Sequence, residues 1–440
     1  MIEIEKLYEL YRKCTGICTD SRKITEGCMF FALKGENFDG NDFAVQALKD
    51  GARYAVVDRV SLEAEHYKGR KCILVENSLK TLQTLAKHHR RQFDIPVVGI
   101  TGTNGKTTTK ELISAVLASK YRIVATQGNF NNHIGVPLTL LRIDRETEIA
   151  VVEMGASAPG EIASLVEIAQ PTCGLITNVG KAHLQGFGSF EGVKKTKGEL
   201  YDYLRQKGGA VFYNADNQHL QEMVGYRKGL ILRPYGVQLQ QVVISPFSFE
   251  NPFLTLNIST DRGERSISTK LVGNYNADNV LAALCVGKHF DVHQADAIRA
   301  IEAYKPSNNR SQFIETGRNK VIMDAYNANP TSMAASLDNF ASLDYPDKVL
   351  ILGDMLELGP DSEAEHKAVL KKALSITDTV YLVGGEFDNA LRQSRSKNGA
   401  KCFATSDQLK EFLAGNPLDG CTILVKGSNG TRLQGLQEIL

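Results

Sequence analysis

Several features that would place a protein in a specialised class are missing from this chain of 440 residues. Charge of one sign is not in excess, because the formal net charge is +1, which argues against a broad nucleic-acid-binding or membrane-binding surface. No apolar run approaches the roughly 18 residues of a membrane span, and residues 1–6 are too charged for a signal peptide. We therefore expect a cytoplasmic protein that neither inserts into membranes nor binds nucleic acid.

Cysteine is present, but without the spacing of a metal or redox motif. The eight cysteines are scattered between Cys14 and Cys421, and none forms a C-x-x-C pair. We expect reduced thiols rather than a disulfide or zinc framework. The hydrophobic share of 42% and the charged share of 23% are typical of a globular chain with several domains.

Three blocks of different pattern follow one another along the chain. Residues 1–93 contain three short strand-like runs and, from about residue 81 to residue 92, a basic helix. In residues 94–306 strands alternate with helices, apart from a turn-rich, strand-like insertion at 228–272. Residues 307–440 contain five strand-like runs that alternate with helices, after a segment of linker composition at 305–309. The alternation predicts α/β domains with parallel sheets, whose ligands collect at the carboxyl ends of the strands.

One segment carries the strongest chemical signal, that of a phosphate-binding loop. The apolar run 97–100 ends in a glycine-containing turn, and Gly105, Lys106 and Thr107 open an amphipathic helix. Backbone N–H groups and the positive helix end can bind phosphates, Lys106 can reach the terminal phosphates, and the Thr107 hydroxyl can bind magnesium. The spacing differs from the common G-x-x-x-x-G-K-[ST] form, because Ile100 stands where the first glycine is expected.

Two further polar residues come after predicted strands of the middle block. Glu153 ends an apolar run that begins at residue 149, where its carboxylate could bind magnesium or form an ion pair. Beside a phosphate loop we favour the metal. His183 lies in a loop with three glycines after the strand-like run 174–177. It could be a ligand or a loop histidine bonded to backbone, and both interpretations stay open.

Two predicted helices of this block carry further candidate site residues. Lys194, Lys195 and Lys197 lie on one predicted helix, whose composition indicates a solvated basic face. Asn276 and Asn279 lie three apart at a helix start. Asn276 could cap that helix, or the two amides could contact an adenine edge.

Charged residues also follow strands of the last block. Asp324, Asp354 and Lys426 each come directly after a strand-like run or one residue beyond it. One such residue is usually structural, but three at the same sheet edge indicate a ligand surface. His366, within a predicted helix, is interpreted as structural.

The assembled motifs resemble those of the Mur ligases, the ATP-dependent amide-forming enzymes of peptidoglycan precursor synthesis. The resemblance covers essentially the whole chain. It is carried by residues 101–108, 128–137, 152–156, 324–332 and 352–359.

The resemblance implies a three-domain α/β protein. It has an N-terminal UDP-binding domain at 1–93, a central P-loop ATPase domain at 94–306 and a Rossmann-like C-terminal domain at 307–440. The implied activity is the ADP-forming ligation of D-alanyl-D-alanine to UDP-N-acetylmuramoyl-tripeptide by a monomer, through an acyl phosphate. A ligase that adds a single amino acid to a muramoyl peptide, or glutamate to folate, is the alternative, and a P-loop NTPase switch is a more distant one.

The resemblance also implies roles for matching residues, with ATP and Mg²⁺ as cofactors. The catalytic residues would be Lys106, Glu153, His183 and Lys197, and the metal ligands Thr107, Glu153, His183 and Lys197, the last as a carbamate. The nucleotide would be bound by Gly102, Thr103, Asn104, Gly105, Lys106, Thr107, Thr108, Asn276, Asn279, Arg310 and Asp324.

The substrate contacts implied by the resemblance are Ser21, Arg22, Asn131, Asn132, Asn327 and Asn329. The segment around Ser21 could equally be a turn or a helix cap. The chain departs from the family pattern at Lys181, where proline is expected, and at Asn429, where arginine is usual.

Overall fold

The computed structural model describes residues 2–60, 71–248, 251–260, 263–306, 310–345, 347–394 and 399–440. These residues form four sheets, of four, six, three and six strands. The three larger sheets lie one in each of the predicted blocks, and the three-stranded sheet lies in the insertion of the middle block. The predicted linker at 305–309 falls partly outside the described residues.

The first block forms a parallel four-stranded sheet with helices. Its strands, in spatial order, are β1 (Ile17–Cys18), β2 (Met29–Phe31), β3 (Tyr54–Val57) and β4 (Cys72–Leu74). Its helices are α1 (Ile4–Tyr11), α2 (Ala44–Lys49) and α3 (Ser78–Arg90). The basic helix α3 begins earlier than the predicted residue 81, because the Asn77 side chain caps it by accepting the Lys80 N–H at 2.7 Å.

The middle block is built on a six-stranded, fully parallel sheet. Its strands, in spatial order, are β10 (Ile231–Tyr235), β9 (Ala210–Asn214), β8 (Cys173–Ile176), β5 (Val97–Thr101), β7 (Ile149–Glu153) and β6 (Ile123–Ala125). The helices are α4 (Lys106–Ala118), α5 (Gly135–Leu140), α6 (Glu161–Ala169), α7 (Leu184–Phe187), α8 (Phe190–Lys207), α9 (Gln218–Gly225), α10 (Ala277–His289) and α11 (Gln294–Ala303).

Helices cover both faces of this sheet. Val97 belongs to the core cluster that includes Leu200 of α8, whereas its neighbour Val98 belongs to the cluster that includes Leu112 of α4. A strand buried on both sides needs a continuous apolar run, and β5 is buried throughout. The predicted insertion contains an antiparallel sheet of β11 (Val243–Ile244), β12 (Phe253–Thr260) and β13 (Gly263–Val272).

The last block forms a second six-stranded sheet, mostly parallel. Its strands, in spatial order, are β14 (Gln312–Glu315), β15 (Lys320–Asp324), β19 (Thr422–Lys426), β16 (Lys348–Gly353), β17 (Val380–Val383) and β18 (Ala400–Phe403). Its helices are α12 (Pro330–Ser342), α13 (Ser362–Leu374), α14 (Gly385–Gln393) and α15 (Ser406–Gly415). The five predicted strands are confirmed. The sixth, β14, was not predicted, and it pairs antiparallel with β15 at the sheet edge.

Two general predictions can be compared with this structure. All eight cysteines are free, as expected for reduced thiols. Within the described ranges, no helix combines the length and the apolar character that a bilayer crossing requires.

Close packing of β8 against β5 generates a stability prediction. A Cβ added at Gly174 would lie 2.4 Å from the backbone oxygen of Gly99, so Gly174→Ala must displace the strand that leads into the phosphate loop. We expect the free energy of unfolding to fall by about 1–3 kcal/mol, measured by urea and thermal unfolding.

The matched control is Gly225→Ala at the end of α9, where an added Cβ meets nothing within 4 Å. There the change should stay within about 1 kcal/mol and favour the folded state, because alanine has the higher helix propensity. Equal losses for the two variants would contradict the packing argument.

Candidate functional site

A cavity of about 920 Å³ opens at the carboxyl ends of the central strands and is lined by residues of all three blocks. Leu79 and Gln83 of α3 come from the first block. The predicted site residues that line it are Thr103, Asn104, Gly105, Lys106, Thr107, Thr108, Asn131, Asn132, Glu153, His183, Asn276, Asn279, Arg310, Asp324 and Asn327. The cavity lining does not include Gly102, Lys197, Asn329, Ser21 or Arg22.

The phosphate loop joins β5 to α4 through two glycines with positive φ. Gly102 has φ +145° and Gly105 φ +75°, a region that side chains disfavour. A Cβ at Gly102 would also lie 2.0 Å from the Thr177 hydroxyl oxygen. The loop is fixed by Asn178, whose backbone oxygen accepts the Thr103 N–H and whose side-chain oxygen accepts the next N–H in the chain, both at 3.0 Å.

Lys106 folds back over this loop. Its Nζ donates to the backbone oxygens of Gly102 at 2.8 Å and Thr103 at 2.9 Å. Desolvation lowers the pKa of Lys106 to about 8, against the opposing effect of Glu153. The ammonium therefore lies in a desolvated position beside the loop, where an anionic ligand would favour its charged form.

Glu153 and Thr107 form the polar centre of the cavity. The Thr107 hydroxyl donates to the Glu153 carboxylate, with distances of 3.0 and 3.2 Å to its two oxygens, and Asn131 Nδ2 donates to it at 2.8 Å. Glu153 is 1% exposed and makes no ion pair with any residue that the structure describes, so the ion-pair alternative is wrong. A buried carboxylate beside a hydroxyl fits a divalent cation.

The protein alone supplies few ligands for such a cation. In the described part of the chain, no group of three or more His, Cys, Asp and Glu side chains comes together in a way that could hold a metal. A cation held at Glu153 and Thr107 would therefore need further ligands, such as water or substrate phosphates.

Lys197 contradicts the prediction of a solvated basic face. It is 2% exposed on α8, and its Nζ lies 3.4 Å from the backbone oxygen of Ala156 and 5.4 Å from the Phe187 ring centre. Burial, with a smaller contribution from Lys106, lowers the pKa of Lys197 to about 7. The helix turns one lysine inward, whereas Lys195 is exposed.

Lys194 behaves as a conventional surface cation. It pairs with Glu222 at 3.0 Å and with Glu191 at 3.3 Å. Among Lys194, Lys195 and Lys197, only Lys197 is therefore both buried and desolvated.

Asn276 and Asn279 bond to each other instead of capping α10. Asn279 Nδ2 donates to Asn276 Oδ1 at 2.8 Å, and Asn276 Nδ2 donates to the backbone oxygen of Val272 at 2.8 Å. Asn276 makes no side-chain cap bond, so the cap alternative is wrong. The Asn279 oxygen also accepts from Thr109 of α4 at 2.9 Å, which ties the pair to the phosphate-loop helix.

His183 faces the last block. Its Nδ1 is in direct hydrogen-bond contact with Oε2 of Glu357, so the ring is not bonded to backbone as the alternative supposed. Burial lowers the pKa of His183, and Glu357 opposes that shift. Glu357 was not predicted as a site residue, because a glutamate in a loop 174 residues away has no local signal that links it to His183.

Other contacts dock the last block against the phosphate loop. Asn329 Nδ2 donates to Asn104 Oδ1 at 2.7 Å. The departure at Lys181 lies at the same interface, where its Nζ pairs with Glu365 at 2.7 Å and its backbone N–H donates to Thr331 at 3.2 Å. Asn329 also caps α12 in a capping box with the residue three positions on.

Arg310 and Asp324 reach the cavity from the last block. The Arg310 guanidinium lies 3.6 Å from the Tyr326 ring centre, and its Nε is buried without a hydrogen-bond partner among the described residues. Lys426 Nζ donates to the Asp324 carboxylate at 2.5 Å, and Ser336 donates to it at 3.2 Å. A cation and an anion from the last block thus line the same cavity as the phosphate loop.

The predicted ligand surface of three charged residues is only partly correct. Asp324 and Lys426 line the cavity, but Asp354 does not. The Asp354 carboxylate accepts two backbone N–H groups at the start of α14, from Glu386 and Phe387, each at 3.0 Å. The structural interpretation of His366 is confirmed, since it is fully buried and its Nε2 lies 3.0 Å from the Met355 N–H.

The remaining predicted substrate contacts have defined local bonds. Ser21–Lys23 form a short 3-10 helix that Asp20 caps, because its carboxylate accepts the Arg22 N–H at 3.1 Å, as the helix-cap alternative supposed. Asn132 Oδ1 accepts the Gly135 N–H at 2.9 Å and Asn327 Oδ1 accepts the next N–H in the chain at 2.9 Å. Their substrate roles stay predictions.

Three family models match successive parts of the chain. They are described as Mur ligase family, catalytic domain (residues 13–90), Mur ligase middle domain (100–287) and Mur ligase, glutamate ligase domain (309–429). Each match lies within one of the three predicted blocks, whose own bounds stay a prediction.

Two curated relatives cover nearly the full length. The UDP-N-acetylmuramoyl-tripeptide--D-alanyl-D-alanine ligase of Bacillus subtilis (strain 168) is 38% identical over 442 residues, with 97% of this chain and 93% of the relative covered. The enzyme of the same name from Escherichia coli (strain K12) is 35% identical over 437 residues, with the same coverage of 97% and 93%.

Solved structures agree in fold. MurF from Acinetobacter baumannii matches with a TM-score of 0.85 at 27% identity, covering 99% of this chain and 97% of that one. MurF ligase from Thermotoga maritima in complex with ADP matches with a TM-score of 0.82 at 28% identity, covering 96% of both chains. With the α/β three-domain architecture and the phosphate loop in place, these matches establish that the chain belongs to the Mur ligase family.

Proposed function

We propose that this chain is an ATP-dependent, ADP-forming ligase that joins D-alanyl-D-alanine to the terminal carboxylate of UDP-N-acetylmuramoyl-tripeptide. The observation that carries the proposal is the phosphate loop, which opens into one cavity lined by all three blocks. The two relatives described above bear the name of this activity, and the Thermotoga maritima structure holds ADP. The proposal combines a nucleotide site and a site for a large second substrate in one chain.

The phosphate loop would bind the phosphates of ATP. Residues 105–108, at the start of α4, would offer backbone N–H groups where the helix dipole favours an anion, whereas the N–H groups of residues 103 and 104 already donate to Asn178. Lys106 would neutralise the terminal phosphates from its desolvated position. Asn276 and Asn279 would contact the adenine by exchanging their mutual bond, and Arg310 and Asp324 would complete the site from the last block.

Magnesium would be held by the oxygens of Thr107 and Glu153, by His183 and by a carbamate on Lys197. When bound, it supplies charge neutralisation between two anionic reactants. The carbamate forms when the neutral Lys197 amine attacks the carbon of CO₂ and releases a proton. Burial that lowers the pKa of Lys197 to about 7 makes this neutral amine available near pH 7.

The reaction itself needs no side-chain nucleophile. A carboxylate oxygen of the tripeptide attacks the γ-phosphorus of ATP, ADP leaves, and an acyl phosphate remains. The free amine of D-alanyl-D-alanine then attacks the carbonyl carbon, and the tetrahedral intermediate collapses to the amide and phosphate. Asn131, Asn132, Asn327 and Asn329 would position the peptide substrate from the loops around the cavity.

Docking of the last block has a chemical purpose in this scheme. Water would hydrolyse an acyl phosphate, so the contacts of Lys181 and Asn329 would help to exclude it. Ser21 and Arg22, outside the cavity, would contact the uridine part of the substrate, which must extend along the first block.

Three further properties belong to the proposal. The domain bounds are 1–93, 94–306 and 307–440, as the sequence predicts. The proposed enzyme acts as a monomer, a state supported by the fact that all three blocks of one chain line the cavity. It works in the cytoplasm, where eight free cysteines persist.

The acceptor requirement tests the activity. We expect phosphate release from ATP only when UDP-N-acetylmuramoyl-tripeptide and D-alanyl-D-alanine are both present, because the acyl phosphate is consumed by the dipeptide amine. Phosphate release, measured with and without the dipeptide, is the readout, and single amino acids and folate with glutamate serve as matched controls.

Each other outcome identifies a different enzyme. Phosphate release that is unchanged by the dipeptide would contradict ligation and indicate a nucleotide switch. Release that depends on a single amino acid, or on folate with glutamate, would indicate another ligase of the superfamily.

The carbamate gives a second prediction. Incubation with ¹³C-bicarbonate should produce a protein-bound carbamate carbon resonance in the native chain. Lys197→Arg should remove it and lower the ligation rate by at least about 10- to 100-fold, since a metal-site oxygen is lost. The control is Lys195→Arg on the exposed side of the same helix, which should keep both the resonance and the rate. A resonance that survives Lys197→Arg would place the carbamate elsewhere.

A further inference from the structure

A contact between two blocks has no role in the reaction scheme above. Glu357 lies in the loop between β16 and α13, in the last block, and its carboxylate contacts His183 of the middle block. The backbones of the two loops are also in contact, because the N–H of Gln185, two residues after His183, donates to the Glu357 backbone oxygen at 3.4 Å. The pair therefore joins a predicted metal ligand to a residue that arrives only with the last block.

Both residues of the pair have an unfavourable backbone conformation. Glu357 has φ +63° and His183 φ +50°, in the left-handed region that non-glycine residues rarely occupy. Such conformations persist where the surrounding structure imposes them, and they concentrate at functional sites. A contact that only docks two surfaces does not require a strained backbone at both of its residues.

The partner atom determines which nitrogen of His183 remains available. A carboxylate only accepts hydrogen bonds, so the nitrogen that faces it, Nδ1, must carry the proton. The neutral ring then keeps its lone pair on Nε2. Histidines that bind metals usually donate their other N–H to a carboxylate in this manner, which fixes the tautomer and the ring orientation.

Neighbouring contacts already dock the two blocks without Glu357. The Lys181–Glu365 ion pair and the Asn104–Asn329 amide pair lie at the same interface. Glu365 is thus a second carboxylate from the last block that meets the middle block without touching His183. Replacing Glu365 therefore tests the effect of docking alone, because the contact between Glu357 and His183 is left in place.

We propose that Glu357 is a positioning residue which holds His183 in the Nδ1-protonated tautomer, so that docking of the last block completes the divalent-cation site. The inference rests on the proposed function, in which His183 binds that cation. It makes cation affinity depend on the arrangement of the domains, since the carboxylate and the ligand belong to different blocks.

The test measures Mn²⁺ binding to the full chain in the presence of ADP, by the electron paramagnetic resonance signal of the free ion. Glu357→Ala should weaken Mn²⁺ binding by about 10- to 100-fold, the loss typical of a carboxylate behind a histidine ligand. Glu357→Gln, whose amide oxygen can still accept from Nδ1, should restore part of the affinity. ADP affinity without metal, measured by calorimetry, should not change.

The matched control is Glu365→Ala, which removes only the Lys181 pair. It should change Mn²⁺ affinity by less than about fivefold, because a partly exposed ion pair contributes little. ¹⁵N-histidine spectra give an independent readout, in which Glu357→Ala should shift His183 from the Nδ1-protonated form towards a mixture of tautomers. The His183→Gln variant identifies the resonance.

The outcomes separate the inference from the proposed function. Equal Mn²⁺ losses in Glu357→Ala and Glu365→Ala would reduce Glu357 to a docking contact, and unchanged affinity in Glu357→Ala would make its contact incidental. Either result overturns the inference while acceptor-dependent ligation by the native chain still stands. If the native chain neither binds Mn²⁺ with ADP nor ligates, the proposed function fails as well. If Glu357→Ala does not fold, the Mn²⁺ affinity of Glu357→Gln is compared with that of Glu365→Gln. A greater loss of Mn²⁺ affinity in Glu357→Gln supports the inference, and equal losses contradict it.

Discussion

The buried carboxylate of Glu153 is the constraint on which the rest of the site depends. An ionised carboxylate out of water is unfavourable unless it is hydrogen-bonded or paired. Here Thr107 and Asn131 donate to it, and its own backbone N–H donates to the Thr126 hydroxyl at 2.9 Å. Lys110, itself 1% exposed, donates to the Thr126 backbone oxygen at 2.7 Å. The strand, the loop and the helix are therefore fixed together around a single negative charge.

Sequence patterns predict elements and site residues correctly where neighbouring residues in the chain determine the structure. The central strands of the two six-stranded sheets, such as β5, β7 and β19, are buried throughout. Their apolar runs therefore stand out, and the residues that follow them lie at one edge of each sheet. Glu153 and the phosphate loop were found in this manner. The edge strand β14 has no such run, since its residues are only partly buried or exposed, and it was missed.

Residues whose role depends on tertiary contacts were harder to predict. Composition places Lys197 on a basic face, and only the packing of α8 against Phe187 shows that this lysine is buried. Asp354 was grouped with the ligand residues, although its carboxylate is used by the start of α14. Glu357 lies in one of the segments that carry the family resemblance, but no pattern links it to His183, because its partner lies in another block and the contact exists only after docking. The family resemblance supplied roles for Lys197 and Arg310 that the pattern alone did not indicate.

The strand order of the last sheet has a consequence for how this block is assembled during synthesis. β19 is the latest of its strands in the chain, yet it lies in the middle, between β15 and β16. Until that strand emerges, the facing edges of two apolar strands remain unpaired, a condition that favours aggregation. Lys426 arrives at its end, so Asp324 acquires its counter-ion in the same event. Completion of the sheet and neutralisation of a charge at the nucleotide cavity are thus one folding step, and an interrupted chain would have neither.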